Sequence, residues 1–295
     1  MKKSTNTDES SEYAVRRLCE REGESSPINA IVKCVQRLFI RHLGQQEVSA
    51  PVDLLKLARE AGIAISISED PHQVDGTLGE WAKARSTLTP NGNAFTIRIM
   101  GARPRTRLNA ALGHEIGHTF FYENTGGIIC RPLGLPAGPE EENLCEFAAR
   151  TLLMPREVMC REWDWPIDIG NLASKIMECG VRCQVSPYLV SQRLISDFTP
   201  KEIGVMFRAV GLWQPRREVF SYHAALLEIC KPIWVVSGIP GEAPFKAFGS
   251  LKSAASRLTK RSKEQKDSTL ILSGALHGST ILTVLARRQI RKRTR

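Results

Sequence analysis

The stretch His114-Glu115-Ile116-Gly117-His118 places two imidazoles four residues apart. On an α-helix that spacing stacks both rings on one face, one turn apart, where they can reach a single metal ion. Glu115 follows the first histidine. Its carboxylate can stand beside such an ion without binding it, where a proton acceptor for an attacking water belongs. Two histidines do not complete a zinc site, so a third ligand has to come from another element. His42, His72 and His277 stand in no comparable spacing. Cys179 and Cys183 form a pair that could grip a metal, but no second cysteine pair accompanies them, and free thiols are the plainer reading.

For the two rings to share a face, the motif must lie on a helix. The run ARPRTRLNAALGHEIGHTFFY supports one, with Leu108, Ala111, Leu112 and Glu115 along one side. Just before it, NAFTIRIM reads as a strand, because Phe95, Ile97 and Ile99 alternate with other residues. Further upstream, Ile28, Ile31, Val32, Val35, Leu38 and Phe39 make one apolar stripe at helical spacing. APVDLLKLAREAGIAISISED predicts a helix that opens after Pro51, closes at Gly62 and leads into the strand IAISI, with a turn at Asp75-Gly76. Downstream, the Gly/Pro-rich loop GGIICRPLGLPAGP separates the histidine helix from a second one, EEENLCEFAARTLLMP. Its leading Glu140, Glu141 and Glu142 suit the positive end of a helix dipole and need no metal to explain them. Periodicity does not choose among the acids. Glu142 shares a stripe with Cys145, Ala149 and Leu152-Leu153, while Leu144, Phe147, Ala148 and Thr151 form a rival one. Geometry leaves both Glu142 and Glu146 as candidates for the third ligand.

HEIGH followed by ENLCEFAARTLLMP resembles the ImmA/IrrE family of zinc-dependent metallopeptidases. There a helix of the form E-x-L-C-N-x-x-A-x-x-L-L-M-P supplies the third ligand from its leading Glu. With Cys145 and Leu152-Leu153-Met154-Pro155 in register, the resemblance implies metal ligands His114, His118 and Glu142, with Glu115 as catalytic base. PVDLLKLAREAGI and the strand–helix lead into HEIGH also look like this family, and the likeness runs over about residues 28–200. Glu146 departs from the pattern, standing where the family usually has Asn. The implied cofactor is Zn2+, or another divalent metal in its place. Two imidazoles and one carboxylate leave one tetrahedral position open, as in catalytic zinc sites. Such a site makes water reactive near neutral pH. Glu115 would take a proton from the water attacking a peptide carbonyl and pass it to the leaving amine. Tyr122 and His223 are candidates for a second electrophile, with aromatic packing and an ordinary surface histidine as the plainer readings.

The rest of the chain bounds the setting. Its 295 residues suggest about two domains. No apolar run approaches the roughly 18 residues of a membrane span. The N-terminal MKKSTNTDESSEYAVRRLCERE has no apolar core of a secretory signal, and the eight scattered cysteines read as reduced thiols. A cytoplasmic protein is expected. The net charge of +10 is C-terminal: residues 252–266 and 287–295 hold six Lys/Arg each, and without these blocks the chain carries 29 basic and 30 acidic residues. Such blocks either attract nucleic acid or form a solvated end.

GNLASKIMECGVRCQVSPYLVSQRLISD resembles the helix-turn-helix-like segment that follows the family's catalytic helices. Ser186 is its N-cap and Pro187 its first helical residue. MECGVRCQ reads as longer than the tight turn such a motif needs, so a structural helical pair competes with a DNA reader. From about residue 203, IGVMFRAV, REVFSYHAA, KPIWVVSGI, STLILSGAL and STILTVLARR read as strands of one sheet.

The expected architecture is therefore α+β. It comprises a disordered N-terminus (1–27), a zincin-like metallopeptidase domain (28–160), a helical segment (161–200), and an α/β or β-rich domain, GAF-like in some relatives, with a basic tail (203–295). The resemblance implies a narrow protein substrate, typically a DNA-binding helix-turn-helix repressor cleaved to release transcription. A DNA-binding or ligand-sensing regulator with a structural or vestigial metal site is the rival expectation.

Overall fold

The computed structural model describes residues 5–44, 48–68, 86–91, 94–100, 104–125, 128–131, 137–162, 171–198, 205–215, 229–237, 270–277 and 280–288. The chain is α+β and divides into two compact units, Met1–Met159 with Cys183–Val185, and Cys160–Arg182 with Ser186–Arg295. Among the described residues no helix is long and apolar enough to cross a membrane.

The first unit contains α1 (Thr5–Glu22), α2 (Pro27–Leu43), α3 (Leu54–Glu60), β1 (Ile63–Ser68), β2 (Ser86–Asn91), β3 (Ala94–Met100), α4 (Arg105–Thr119), β4 (Glu123–Thr125), β5 (Ile128–Cys130) and α5 (Pro139–Leu153). The boundary between units falls within α6 (Arg156–Glu162). β3 is the central strand of a three-stranded sheet, parallel to β1 and antiparallel to β2. Ile97 and Ile99 point to the same face of β3 and are fully buried, as period-two alternation requires. α4 packs on β2 and β3 and, most extensively, on α5, which also contacts α1 and α2.

α5 therefore runs through the middle of the unit. Leu144, Cys145 and every residue from Phe147 to Leu153 are buried. Both of its rival stripes lie inside, which is why periodicity could not pick a face. Leu112, Ile116, Leu152 and Leu153 are completely buried and contribute about 1.5–3 kcal/mol each relative to exposure.

Local signals hold where they are strong. Asp53 caps α3 by accepting from the Lys56 N–H at 3.0 Å. Gly62, at φ +73°, turns the chain out of α3 into β1, a conformation cheap only for glycine. The N-terminus differs from expectation. Residues 5–22 form α1, because Ala14, Val15 and Leu18 recur at helical spacing and are buried, whereas the polar composition suggested disorder. In α2 the buried face is Ala30, Ile31, Cys34, Val35 and Phe39, while Ile28 is exposed. The stripe read from the largest side chains is thus rotated toward smaller residues. The Gly/Pro-rich stretch after α4 contains β5, which pairs antiparallel with β4 just before it.

In the second unit, α7 (Leu172–Cys183) and α8 (Pro187–Ser196) precede a four-stranded antiparallel sheet ordered β7-β6-β9-β8. The strands are β6 (Val205–Pro215), β7 (Ile229–Ser237), β8 (Leu270–His277) and β9 (Thr280–Arg288). MECGVRC belongs to α7, so only Gln184, Val185 and Ser186 separate the two helices. The connection is tighter than the sequence suggested, because Gln184 takes φ 53°, in the left-handed region, and ends α7 directly after Cys183. Ser186 is the N-cap of α8, its hydroxyl accepting from the Leu189 N–H at 3.3 Å, with Pro187 at the first helical position. The strand expected at REVFSYHAA, the Asp75-Gly76 turn, His72, His223, the basic block 252–266 and the tail beyond Arg288 lie outside the described residues.

Candidate metal centre

α4 presents His114 and His118 on one face, and the first turn of α5 brings Glu142 against them. The two Nε2 atoms stand 3.2 Å apart. One Glu142 carboxylate oxygen lies 3.2 Å from His114 Nε2, and the other lies 3.6 Å from His118 Nε2. Ligands about 2.0–2.1 Å from a tetrahedral zinc stand roughly 3.3 Å from one another. The three separations are close to that spacing, with each imidazole facing a different oxygen of the one carboxylate, and the two-imidazole, one-carboxylate donor set suits zinc. His118 is nearly enclosed, while the Glu142 side chain is half exposed, so the triangle opens to solvent on the Glu142 side.

The approach of α5 depends on small residues. A Cβ at Gly113 would meet the Ala149 Cα at 3.1 Å, and one at Gly117 would meet the Cys145 Cα at 3.1 Å and the Ala148 Cβ at 3.0 Å. The glycine inside HEIGH thus lets the two helix backbones meet closely enough for a carboxylate one turn earlier on α5 to reach both rings.

Electrostatics at the triangle favour a cation. Burial alone would lower the His114 pKa, but the hydrogen bond and charge of Glu142, with the fields of Glu115 and Glu146, hold it above the ordinary 6.5. Glu115 is itself buried on α4. Among the described residues two groups of side chains could hold a metal, His114–His118–Glu142 and His118–Glu141–Cys145, and the exposed Glu146 belongs to neither.

Behind the triangle stands a residue that sequence reasoning passed over. Glu141 is completely buried, and its Oε1 lies 3.1 Å from His118 Nδ1. Arg131, just past β5, holds the same carboxylate with both arms of its guanidinium, one at 2.8 Å from Oε1 and the other on Oε2. Burial pushes the Glu141 carboxyl up, but His118 and Arg131 together hold it below the ordinary carboxylate value. A carboxylate only accepts, so the Glu141 contact calls for a proton on His118 Nδ1, and Nε2 is the ring nitrogen that faces His114 and Glu142. Cys145 Sγ lies 3.2 Å from the same Nδ1, and burial, then the charges of Glu141 and Glu142, push this thiol well above its ordinary value. It is a neutral neighbour of the ring. Glu141 reads from sequence as one of three first-turn acids, and only its place directly before Glu142 hints at more.

Tyr122 packs edge-on against Phe95, with ring centroids 5.2 Å apart, and the Arg131 guanidinium lies 5.8 Å from its ring centre. These contacts match the packing reading of Tyr122. Cys179 and Cys183 are buried and lie outside both candidate ligand groups found among the described residues. No protein-family model and no curated protein matches this sequence. Among solved structures, a Mycobacterium tuberculosis transcriptional regulator aligns at 12% identity with a TM-score of 0.42, over 95% of this chain and 82% of its own. That likeness is too slight to define a fold.

Proposed function

We propose that the chain is a zinc-dependent endopeptidase, its first unit a zincin-like catalytic domain of the ImmA/IrrE type. The observation that carries this reading is the triangle of His114 Nε2, His118 Nε2 and the Glu142 carboxylate, built from two helices with the Glu115 carboxylate in the same turn. His114, His118 and Glu142 would hold the metal. A bound divalent ion supplies an acidic water and polarises a substrate carbonyl near neutral pH. Glu115 takes a proton from the attacking water and delivers it to the departing amine as the C–N bond breaks. His118, fixed through Nδ1, keeps its Nε2 lone pair aimed at the centre. The half-exposed Glu142 leaves the site reachable by a peptide.

The substrate is one specific protein, a DNA-binding helix-turn-helix repressor being the leading candidate, cut at one position. Two variants test the chemistry. Glu115→Gln should keep the metal and the fold while hydrolysis falls by about 10²–10⁴-fold. Glu142→Ala should lose metal by elemental analysis. Retention of metal in Glu142→Ala with loss in Glu146→Ala would reassign the ligand. Glu115→Gln also serves as bait, and a partner recovered with it should be cleaved once by the unaltered protein in a chelator-sensitive reaction.

A second reading, a DNA-binding regulator whose metal site is structural, is favoured by the three-residue turn between α7 and α8 with its Ser186 cap. Full peptidase inactivity of a zinc-loaded, folded protein toward any captured partner would move the assignment there.

A further inference from the structure

We propose that Glu141 and Arg131 form a positioning pair that sets the tautomer and orientation of His118, an inference that rests on the metal-centre reading above. The pair is built from two elements that the histidine helix does not contain. Glu141 comes from the first turn of α5, 23 residues beyond His118, and Arg131 follows the β4–β5 hairpin. Glu141 has no exposed side-chain surface, and Arg131 has little. A buried carboxylate costs several kcal/mol unless charges and hydrogen bonds compensate it. Here both of its oxygens are engaged by Arg131, and Oε1 also meets His118 Nδ1. A residue kept only to favour the start of a helix would point into water, as the exposed Glu140 does.

The arrangement has two consequences for the imidazole. Donation from Nδ1–H to the Glu141 carboxylate holds the proton off Nε2, in competition with a bare Nδ1 accepting from the Cys145 thiol 3.2 Å away, and it fixes the ring about its long axis. The carboxylate charge also makes Nε2 a stronger donor to a cation. Arg131 engages both oxygens of Glu141, which commits that carboxylate to the pair. The Tyr122 ring beside the guanidinium closes the far side of the pair.

The test uses the full chain as Glu141→Gln, which keeps an acceptor oxygen and the side-chain volume but removes the charge. Zinc affinity, measured by competition with a chromophoric chelator, should fall roughly 10- to 100-fold. The nitrogen NMR signals of His118 in the metal-free protein should show Nδ1–H in the unaltered chain and a mixture of tautomers in Glu141→Gln. Should Glu141→Gln not fold, Arg131→Lys, which keeps a cation but loses the two-armed grip, should give a smaller loss in both measurements. Unchanged affinity and an unchanged tautomer would overturn the pair. Failure of the unaltered chain to bind zinc at all would instead overturn the metal-centre reading. The tautomer measurement on metal-free protein still decides the role of Glu141 in that case.

Discussion

Gly117 of α4 lies so near Ala148 of α5 that a methyl group at position 117 would come within 3.0 Å of the Ala148 Cβ. The same methyl would stand 3.1 Å from the Cys145 Cα and 3.2 Å from its carbonyl oxygen, and backbone atoms yield less easily than a side-chain end. Gly117→Ala should therefore part the helices where Glu142 reaches across. Overpacking costs about 1–3 kcal/mol, offset by about 1 kcal/mol of gained helix propensity. The stability change should be small or mildly negative, while metal affinity falls clearly. Thermal unfolding of the metal-free protein and zinc competition separate the two, and an unchanged affinity would show that the helices need no glycine here.

Arg21 closes the C-terminal end of the histidine helix. Its guanidinium donates to the Phe120 carbonyl at 2.6 Å and the Tyr122 carbonyl at 2.9 Å, placing a cation at the negative end of α4. Arg21→Ala should cost about 1–2 kcal/mol, and Arg21→Lys should recover only part, since one ammonium lacks the fork. Amide exchange should speed up at Phe120–Tyr122 before it does in the middle of α4. Uniform exchange along α4 in the variant would contradict this capping role.

Glu22 gives the first unit a pH dependence. Its side chain has no exposed surface, and its Oε1 accepts from Arg37 at 2.6 Å and Arg21 at 3.0 Å. Burial pushes its pKa up, but the hydrogen bonds and charges of Arg37 and Arg21 outweigh that and hold it below the ordinary 4.5. A folded value below the unfolded one means the stabilisation is complete above pH 4.5 and fades as pH falls through the folded value. Glu22→Gln should be less stable by about 1–3 kcal/mol at pH 7, and the gap should narrow on acidification below 4.5. Urea unfolding of both proteins across that range checks the sign. A gap that widens toward low pH would reverse it.

Nucleic-acid contact through the C-terminus makes a separate prediction about salt. Arg288 ends β9, so stopping the chain there keeps the strand and removes Arg291, Lys292, Arg293 and Arg295. If these cations meet phosphates, DNA affinity falls steeply with salt in the full chain, and the truncated chain shows a slope reduced by up to about 4. Equal slopes, or no retention on DNA at low salt, would leave the tail as a solvated end.

What the sequence determined by itself is local. His114 and His118 had to share a face once the residues around them favoured a helix, and Asp53, Gly62, Ser186 and Pro187 punctuate the chain where their backbone chemistry demands. Four C-terminal segments with strand character lie in one antiparallel sheet. Each of these follows from interactions within a few residues, or from a side-chain period that repeats along one element. The choice among Glu140, Glu141, Glu142 and Glu146 was not legible from periodicity, because every residue of α5 from Phe147 to Leu153 is buried and that half of the helix offers no polar face to orient it. Which of them comes near the two Nε2 atoms follows from the crossing of α4 and α5, set by Gly113 and Gly117 against Cys145, Ala148 and Ala149. Tertiary structure also turned Ile28 outward and ordered α1, whose apolar side chains recur among many charges. It put Glu141 behind His118, held by an arginine from a hairpin. Helical period says which residues travel together, but which face meets which partner depends on packing between segments far apart in the chain.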